Sequence, residues 1–323
     1  MVLEGDSIEH RHFRDLPDLL EPGDLVVLNE TRVIRARLLG RRAGGGAAEL
    51  LLLHPAQTPG YDPDAARWIA LARPARRLRV GARVTFEDYG AAVVTAELDH
   101  GAREVELQLT MPFERFLEAV GRMPLPPYIH NDSGEAQERY QTVFARMPGS
   151  VAAPTASLHF TSGVIERMQA RGVTIARITL DVGLGTFRPV NVESVDQHAM
   201  HAEAYAIPSD VAETLEEARA AGRRVVAAGT TVVRALEGNL QTFGRITPGR
   251  HQTDCFITPG FTFGVVGAMI TNFHLPRSTL LMLVSAFAGR ERILHAYHEA
   301  IAHRYRFYSF GDAMLIRGPA VSS

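Results

Sequence analysis

The sequence predicts an α/β body carrying a small antiparallel β-barrel domain inserted near the N-terminus. Six short strand-like stretches crowd the chain between Val33 and Leu109, separated by glycine- and proline-containing turns. That crowding is the pattern of a small antiparallel barrel. Beyond Pro112 the period changes, and helical patterns alternate with β-branched runs, as in an α/β layer structure. With 323 residues and 46% hydrophobic content, the chain is long for one core and can build two. Residues 1–32 and 111–323 are expected to form the body, and residues 33–110 the barrel.

The elements follow in order. Ile8 to Phe13 alternates loosely as a strand. Leu25 to Asn29 is an apolar run after the turn Pro22-Gly23-Asp24, as a buried strand requires. The barrel strands are expected at Arg35–Leu39, Glu49–Leu53, Trp68–Ala72, Arg83–Glu87, Ala92–Leu98 and Glu104–Leu109. Gly44-Gly45-Gly46, Pro59-Gly60, Gly81, Gly90 and Gly101 punctuate them. Pro112–Val120 reads as a helix. Helices at Ser162–Ala170 and Ser209–Ala221 precede strands at Val173–Leu180 and Val225–Ala228. Leu280 to Ala288 is apolar but too short for a bilayer, which needs about 20 residues. It reads as a buried segment with the polar loop Thr271–Thr279 at its mouth. Tyr305–Asp312 alternates, which predicts a terminal strand.

Charge is unevenly spread. The formal net charge is −2, yet Thr31 to Arg83 holds eleven Arg against only Glu49, Asp62 and Asp64. A basic face on an acidic body suits a polyanionic partner. There is no Lys, which excludes a Walker-type phosphate loop and a Schiff-base lysine. The single Cys255 excludes an internal disulfide and a multi-cysteine metal site. No signal-peptide pattern follows Met1, and a cytoplasmic protein is the expected class.

Several polar clusters sit where strands end. Gly229-Thr230-Thr231-Val232-Val233-Arg234 follows a strand and opens a helix, whose free N–H groups favour an anion or polar ligand. Gly183-Leu184-Gly185-Thr186-Phe187 allows close backbone approach to a ligand. His198, His201 and Glu203 offer two imidazoles and a carboxylate. Acid–base work is the favoured use, with a metal-dependent hydrolase as the alternative. His159 lies in Ala153-Pro154-Thr155-Ala156-Ser157-Leu158-His159-Phe160. Arg306 and Asp312 are charges that need partners if buried.

Taken with Asn29-Glu30-Thr31-Arg32-Val33-Ile34, Met123-Pro124-Leu125-Pro126-Pro127-Tyr128, Arg139-Tyr140-Gln141-Thr142-Val143 and Thr271-Asn272-Phe273-His274-Leu275-Pro276, these motifs resemble the S-adenosylmethionine:tRNA ribosyltransferase-isomerase family of queuosine biosynthesis. The resemblance runs from about Ile8 to Ile316. It implies an α/β body with a β-barrel domain. It also implies transfer and isomerisation of the ribosyl moiety of S-adenosylmethionine onto 7-aminomethyl-7-deazaguanine at the tRNA wobble position. S-adenosylmethionine is then a co-substrate, and no metal and no permanently bound cofactor is expected. The partner is tRNA carrying that base, there is no membrane partner, and the chain is expected to be a monomer. A catalytically impaired relative that only binds tRNA is a further alternative.

Residue chemistry then suggests roles. The sulfonium acidifies the ribose C5′ proton, and adenine leaves better when hydrogen-bonded. His159, His198, His201 and Glu203 are expected to share the proton traffic, with Asp312 as an anion for the sulfonium. Gly185, Thr186, Phe187, Thr230, Thr231, Asn272 and His274 are expected to hold the co-substrate. Arg32, Arg73, Arg76, Arg77, Arg79 and Arg234 are expected to contact tRNA phosphates, largely from the barrel. Three departures from the family pattern stand out. The chain begins about thirty residues into it, so the strand at Ile8 is expected to lose its hairpin partner and leave an exposed edge. Glu30 replaces the usual Asp, and Arg35 the usual Pro. Gly267 replaces an acidic residue.

Overall fold

The computed structural model describes residues 1–57, 61–126, 129, 134–181 and 202–318. In chain order, β1 (Val2–Glu4) and β2 (Ser7–Glu9) lead to α1 (Leu16–Leu19), β3 (Leu25–Asn29) and β4 (Thr31–Val33). Then come β5 (Arg37–Arg42), β6 (Ala47–Pro55), β7 (Arg67–Arg73), β8 (Arg83–Thr85), β9 (Gly90–Glu97) and β10 (Ala102–Leu109). After them follow α2 (Phe113–Val120), β11 (Gly121–Arg122), α3 (Gly134–Arg139), β12 (Met147–Ser150), α4 (Ser162–Ala170), β13 (Thr174–Asp181) and β14 (Glu203–Ile207). The chain continues through α5 (Ser209–Ala220), β15 (Val225–Ala228), α6 (Thr230–Phe243), β16 (Gly249–Thr253) and β17 (Val266–Asn272). It closes with α7 (Thr279–Ala288), α8 (Arg290–Ala302) and β18 (Ala313–Arg317).

Nine strands form the main sheet, in the order β16-β14-β13-β3-β15-β17-β18-β1-β2. Its centre, β13-β3-β15-β17, is parallel. Central parallel strands are buried on both faces, which explains the uninterrupted Leu25-Val26-Val27-Leu28. Leu25 and Val27 face a core shared with α5, α6, α7 and α8. Val26 and Leu28 face the opposite core, with Leu16 of α1 and Val164, Ile165 and Met168 of α4. Fully burying each such side chain contributes about 1.5–3 kcal/mol. Thr161 caps α4 by accepting from the Val164 N–H at 3.2 Å, and Ser278 caps α7 by accepting from the Leu281 N–H at 3.2 Å. The apolar run Leu280–Ala288 is α7, a buried element. Among the described residues no helix is long and apolar enough to cross a membrane.

The second sheet runs β11-β5-β6-β7-β10-β9-β8, and a β5–β8 pairing closes it into a barrel. Inward residues alternate along the strands and meet around Trp68, Phe86, Leu38, Leu50 and Leu52. Although α2 and β11 lie past residue 110, they serve this barrel. Phe113 stacks on Trp68 at 4.9 Å, Phe116 meets Phe86 edge-on at 5.4 Å, and β11 pairs with β5.

Two expectations need correction. Tyr305–Asp312 is not a strand: it turns, with Tyr308 at φ 72°, and the strand starts at Ala313. The Asp312 carboxylate accepts from the Arg306 N–H at 2.7 Å, which pinches the segment out of extended form. The strand at Ile8 keeps a hairpin partner, because β1 pairs with it antiparallel and in turn lies parallel to β18. It remains the edge of the sheet.

Candidate active site

The four parallel strands end along one edge of the sheet, where open α/β sheets bind ligands. At the end of β3, fully buried Asn29 uses its Oδ1 to accept from the Thr31 N–H at 2.9 Å and the Leu180 N–H at 3.1 Å. It thereby ties β3 to β13. Its Nδ2 is buried without a hydrogen-bond partner. Glu30 is also buried and sits 3.6 Å from the Arg146 guanidinium. At the end of β13, the Asp181 Oδ2 accepts from the Tyr61 N–H at 3.1 Å. Burial raises the Asp181 pKa, opposed by Arg250 and by that N–H. Tyr61 is itself pushed up to about 12, mainly by burial and secondly by Glu114.

At the end of β15, Gly229 adopts φ 106°, a conformation L side chains rarely reach. The turn starts α6 at Thr230 and leaves Thr230 and Thr231 buried at its N-terminus. At the end of β17, Asn272 Nδ2 lies 3.1 Å from His159 Nε2 and 3.5 Å from the Asp312 carbonyl. Its buried Oδ1 has no partner. The amide donor fixes a neutral His159 with its proton on Nδ1. Two residues past Asn272, His274 Nε2 lies 2.8 Å from Thr271 Oγ1, and the His274 N–H donates to the Tyr297 hydroxyl at 2.8 Å. Burial lowers both imidazoles to about 4; the Asp312 carboxylate partly opposes this at His159. Both rings are therefore neutral at pH 7.

Two cavities flank this edge. One, of about 310 Å³, is lined by His159, Asp312, Phe13, His12 and Tyr305. Phe13 stacks on His159 at 5.1 Å. The other is a cleft of about 660 Å³ between barrel and body, lined by Arg32, Arg35, Tyr61, Glu114, Glu118 and Gln141. Gln141 holds β4 by accepting from the Val33 N–H at 2.9 Å and donating to the Val33 carbonyl at 3.1 Å. The departure at Arg35 thus faces this cleft, where its guanidinium donates to the Glu118 carbonyl at 3.3 Å. At the other departure, Gly267, the carbonyl accepts from the Gly318 N–H at 3.0 Å.

His159, Thr230, Thr231, Asn272 and His274 thus come together at or beside the strand ends, with Asp312 next to His159. Gly185, Thr186, Phe187, His198 and His201 lie outside the described residues. The sequence expectation for Arg234 is corrected. Arg234 is buried, donates from Nη1 to the Glu203 carboxylate at 2.6 Å and from Nε to the Cys255 carbonyl at 2.9 Å. A guanidinium so enclosed does not reach surface phosphate. Glu203 is also buried, and the ion pair anchors β14 to α6.

Arg32, Arg73, Arg76, Arg77 and Arg79 are exposed, with no acidic partner at ion-pair distance among the described residues. Arg103, unnoticed in the sequence, organises three of them. Its buried guanidinium donates to the Leu78 carbonyl at 2.7 Å and the Ala75 carbonyl at 2.9 Å, pinning the turn that presents Arg76, Arg77 and Arg79. Asp181 was missed too, although an acid directly after the strand-like run Ile178-Thr179-Leu180 was the available signal.

Residues 1–316 match the family model described as queuosine biosynthesis protein. A Symbiobacterium thermophilum protein named S-adenosylmethionine:tRNA ribosyltransferase-isomerase is 54% identical over 313 residues, 96% of this chain and 89% of its own. A Gloeobacter violaceus protein of the same name is 52% identical over 319 residues, 98% of this chain and 88% of its own. The crystal structure of S-adenosylmethionine tRNA ribosyltransferase from Thermotoga maritima matches with TM-score 0.50 and 35% identity, covering 98% of this chain and 91% of that one.

Proposed function

The chain belongs to the queuosine biosynthesis protein family, and we propose that it is an S-adenosylmethionine:tRNA ribosyltransferase-isomerase. It transfers the ribosyl moiety of S-adenosylmethionine to 7-aminomethyl-7-deazaguanine at the wobble position of tRNA. The ribose is rearranged to the epoxycyclopentane of epoxyqueuosine, and adenine and methionine are released. It acts as a monomer in the cytoplasm.

The observation that carries this reading is the set of buried, unpartnered amide atoms at the strand ends, Asn29 Nδ2 and Asn272 Oδ1, beside the α6 N-terminus. Buried polar atoms cost free energy unless a ligand satisfies them. A nucleoside offers hydroxyl groups and ring nitrogens to do so. Asp181 suits two needs of the sulfonium. As an anion it balances the positive charge. As a carboxylate with a raised pKa it is a stronger base for the acidified C5′ proton than an exposed one. His159, neutral and protonated on Nδ1, serves better as a hydrogen-bond donor to the departing adenine than as a base.

The RNA side rests on the barrel, residues 33–110 together with α2 and β11. Its exposed arginines meet phosphate, and the 660 Å³ cleft between barrel and body has the volume to take a splayed-out anticodon base. The test is adenine release from S-adenosylmethionine with precursor tRNA. Adenine formed only when that tRNA is present supports the assignment. tRNA binding without adenine release leaves a binding protein and ends it.

A further inference from the structure

We propose that His10, Glu299 and His303 form a binding site for one divalent transition-metal ion of the zinc type, clamping the N-terminal hairpin to the end of α8. One donor atom of each of the three residues lies within 4.8 Å of the other two. Zinc takes imidazole and carboxylate ligands at about 2.0–2.2 Å, so modest side-chain rotation suffices to close the set.

The surroundings favour a ligand set over a chance cluster. His303 Nδ1 lies 2.9 Å from the Glu299 carbonyl. A carbonyl only accepts, so the proton sits on Nδ1 and Nε2 keeps its lone pair for a metal. Metal-binding histidines commonly donate their other ring N–H to such a partner. His10 Nδ1 lies 2.8 Å from the Tyr305 hydroxyl, a contact that holds the ring in place whichever of the two groups donates. The two rings lie 4.2 Å apart at 32°. His303 and Glu299 are one helical turn apart at the end of α8, so their side chains share a face.

Sequence spacing could not reveal the set, because His10 follows β2 and its partners sit at the far end of the chain. His303 also lines the 310 Å³ cavity that holds His159 and Asp312. Bound metal would therefore stiffen one wall of that cavity, with no step of the proposed chemistry passing through it.

Metal-free, tag-free full chain, titrated with zinc and separately with cobalt(II), decides the matter. The expected result is one ion per chain, a visible cobalt spectrum of low-coordinate type, and a Tm rise of about 4 °C at a hundredfold excess over Kd. His303→Ala and His10→Gln each weaken binding at least about tenfold and leave the metal-free Tm unchanged. If His303→Ala fails to fold, the near-isosteric Glu299→Gln supplies the same comparison. Undiminished zinc affinity in these variants, or less than about 0.2 zinc per chain, overturns the site.

Discussion

Glu203 and Arg234 form an ion pair 2.6 Å long, with side chains 7% and 4% exposed, joining β14 to the first turns of α6. Removing one partner strands the other charge in a low-dielectric interior, which costs about 3–5 kcal/mol. Arg234→Ala and Glu203→Gln should therefore each lower the denaturant midpoint strongly. Urea unfolding measures it. Losses below about 1 kcal/mol would show that the pair contributes little to the fold.

The pH profile of stability should carry the mark of His159 and His274. Their folded pKa values, about 4, lie below the ordinary 6.5. The unfolded chain then binds more protons between those values, so stability is full above about pH 6.5 and falls as pH drops towards 4. Each group accounts for a few kcal/mol at most, since a tenfold change in proton affinity is worth about 1.4 kcal/mol. Urea midpoints from pH 7.5 to 4 measure this. His274→Gln should flatten part of the slope, and a wild-type profile that stays level through this window would contradict it.

Asn272 positions His159 through a 3.1 Å contact. Asn272→Ala frees the ring to turn and to change tautomer. The expected loss in kcat is on the order of 10²-fold, with a smaller change in the KM for tRNA. Asn272→Asp should not rescue activity, since a carboxylate cannot donate to Nε2. Steady-state adenine release with each variant reads both outcomes.

Replacing Arg73, Arg76, Arg77 and Arg79 together by Gln should weaken tRNA binding and flatten its salt dependence. Each lost phosphate contact reduces the slope of log K against log salt by about 0.7–0.9. Arg103→Met should produce a milder version, because the turn at Ala75–Arg77 loses its anchor while surface charge at the four positions is unchanged. Filter binding at several salt concentrations separates the two. An unaltered slope in the fourfold variant would remove the barrel from RNA contact.

Gly229→Ala should harm the α6 N-terminus through backbone strain alone. A Cβ there would meet nothing closer than 3.7 Å, yet φ 106° is strained for any L side chain. A cost of about 1–3 kcal/mol is expected, with weakened S-adenosylmethionine binding. Calorimetric titration measures the affinity.

Periodicity carried the elements that need no distant partner. Ser162–Ala170 and Val225–Ala228 have the bounds their patterns suggest, and Leu25–Asn29 declared itself through unbroken burial. The barrel strands were legible because their turns are crowded with glycine. Long-range pairing was not legible. Glu203 sits beside two histidines in sequence and so looked functional, while Arg234, its true partner, is 31 residues away. Tyr305–Asp312 alternates like a strand, but the Arg306–Asp312 contact folds it into a turn. Arg103 is a single charge without a motif, and only its burial marks it, while Asp181 is marked in the sequence only by its place directly after Ile178-Thr179-Leu180.

A lone residue, Glu30, separates β3 from β4, and Ile34-Arg35-Ala36 alone separate β4 from the first barrel strand. So little slack makes the barrel and the strand that ends in Asn29 a single lever. Under the proposed assignment, a tilt of the barrel on RNA docking is passed directly to Asn29, so the proposed nucleoside pocket would register whether the macromolecule has arrived.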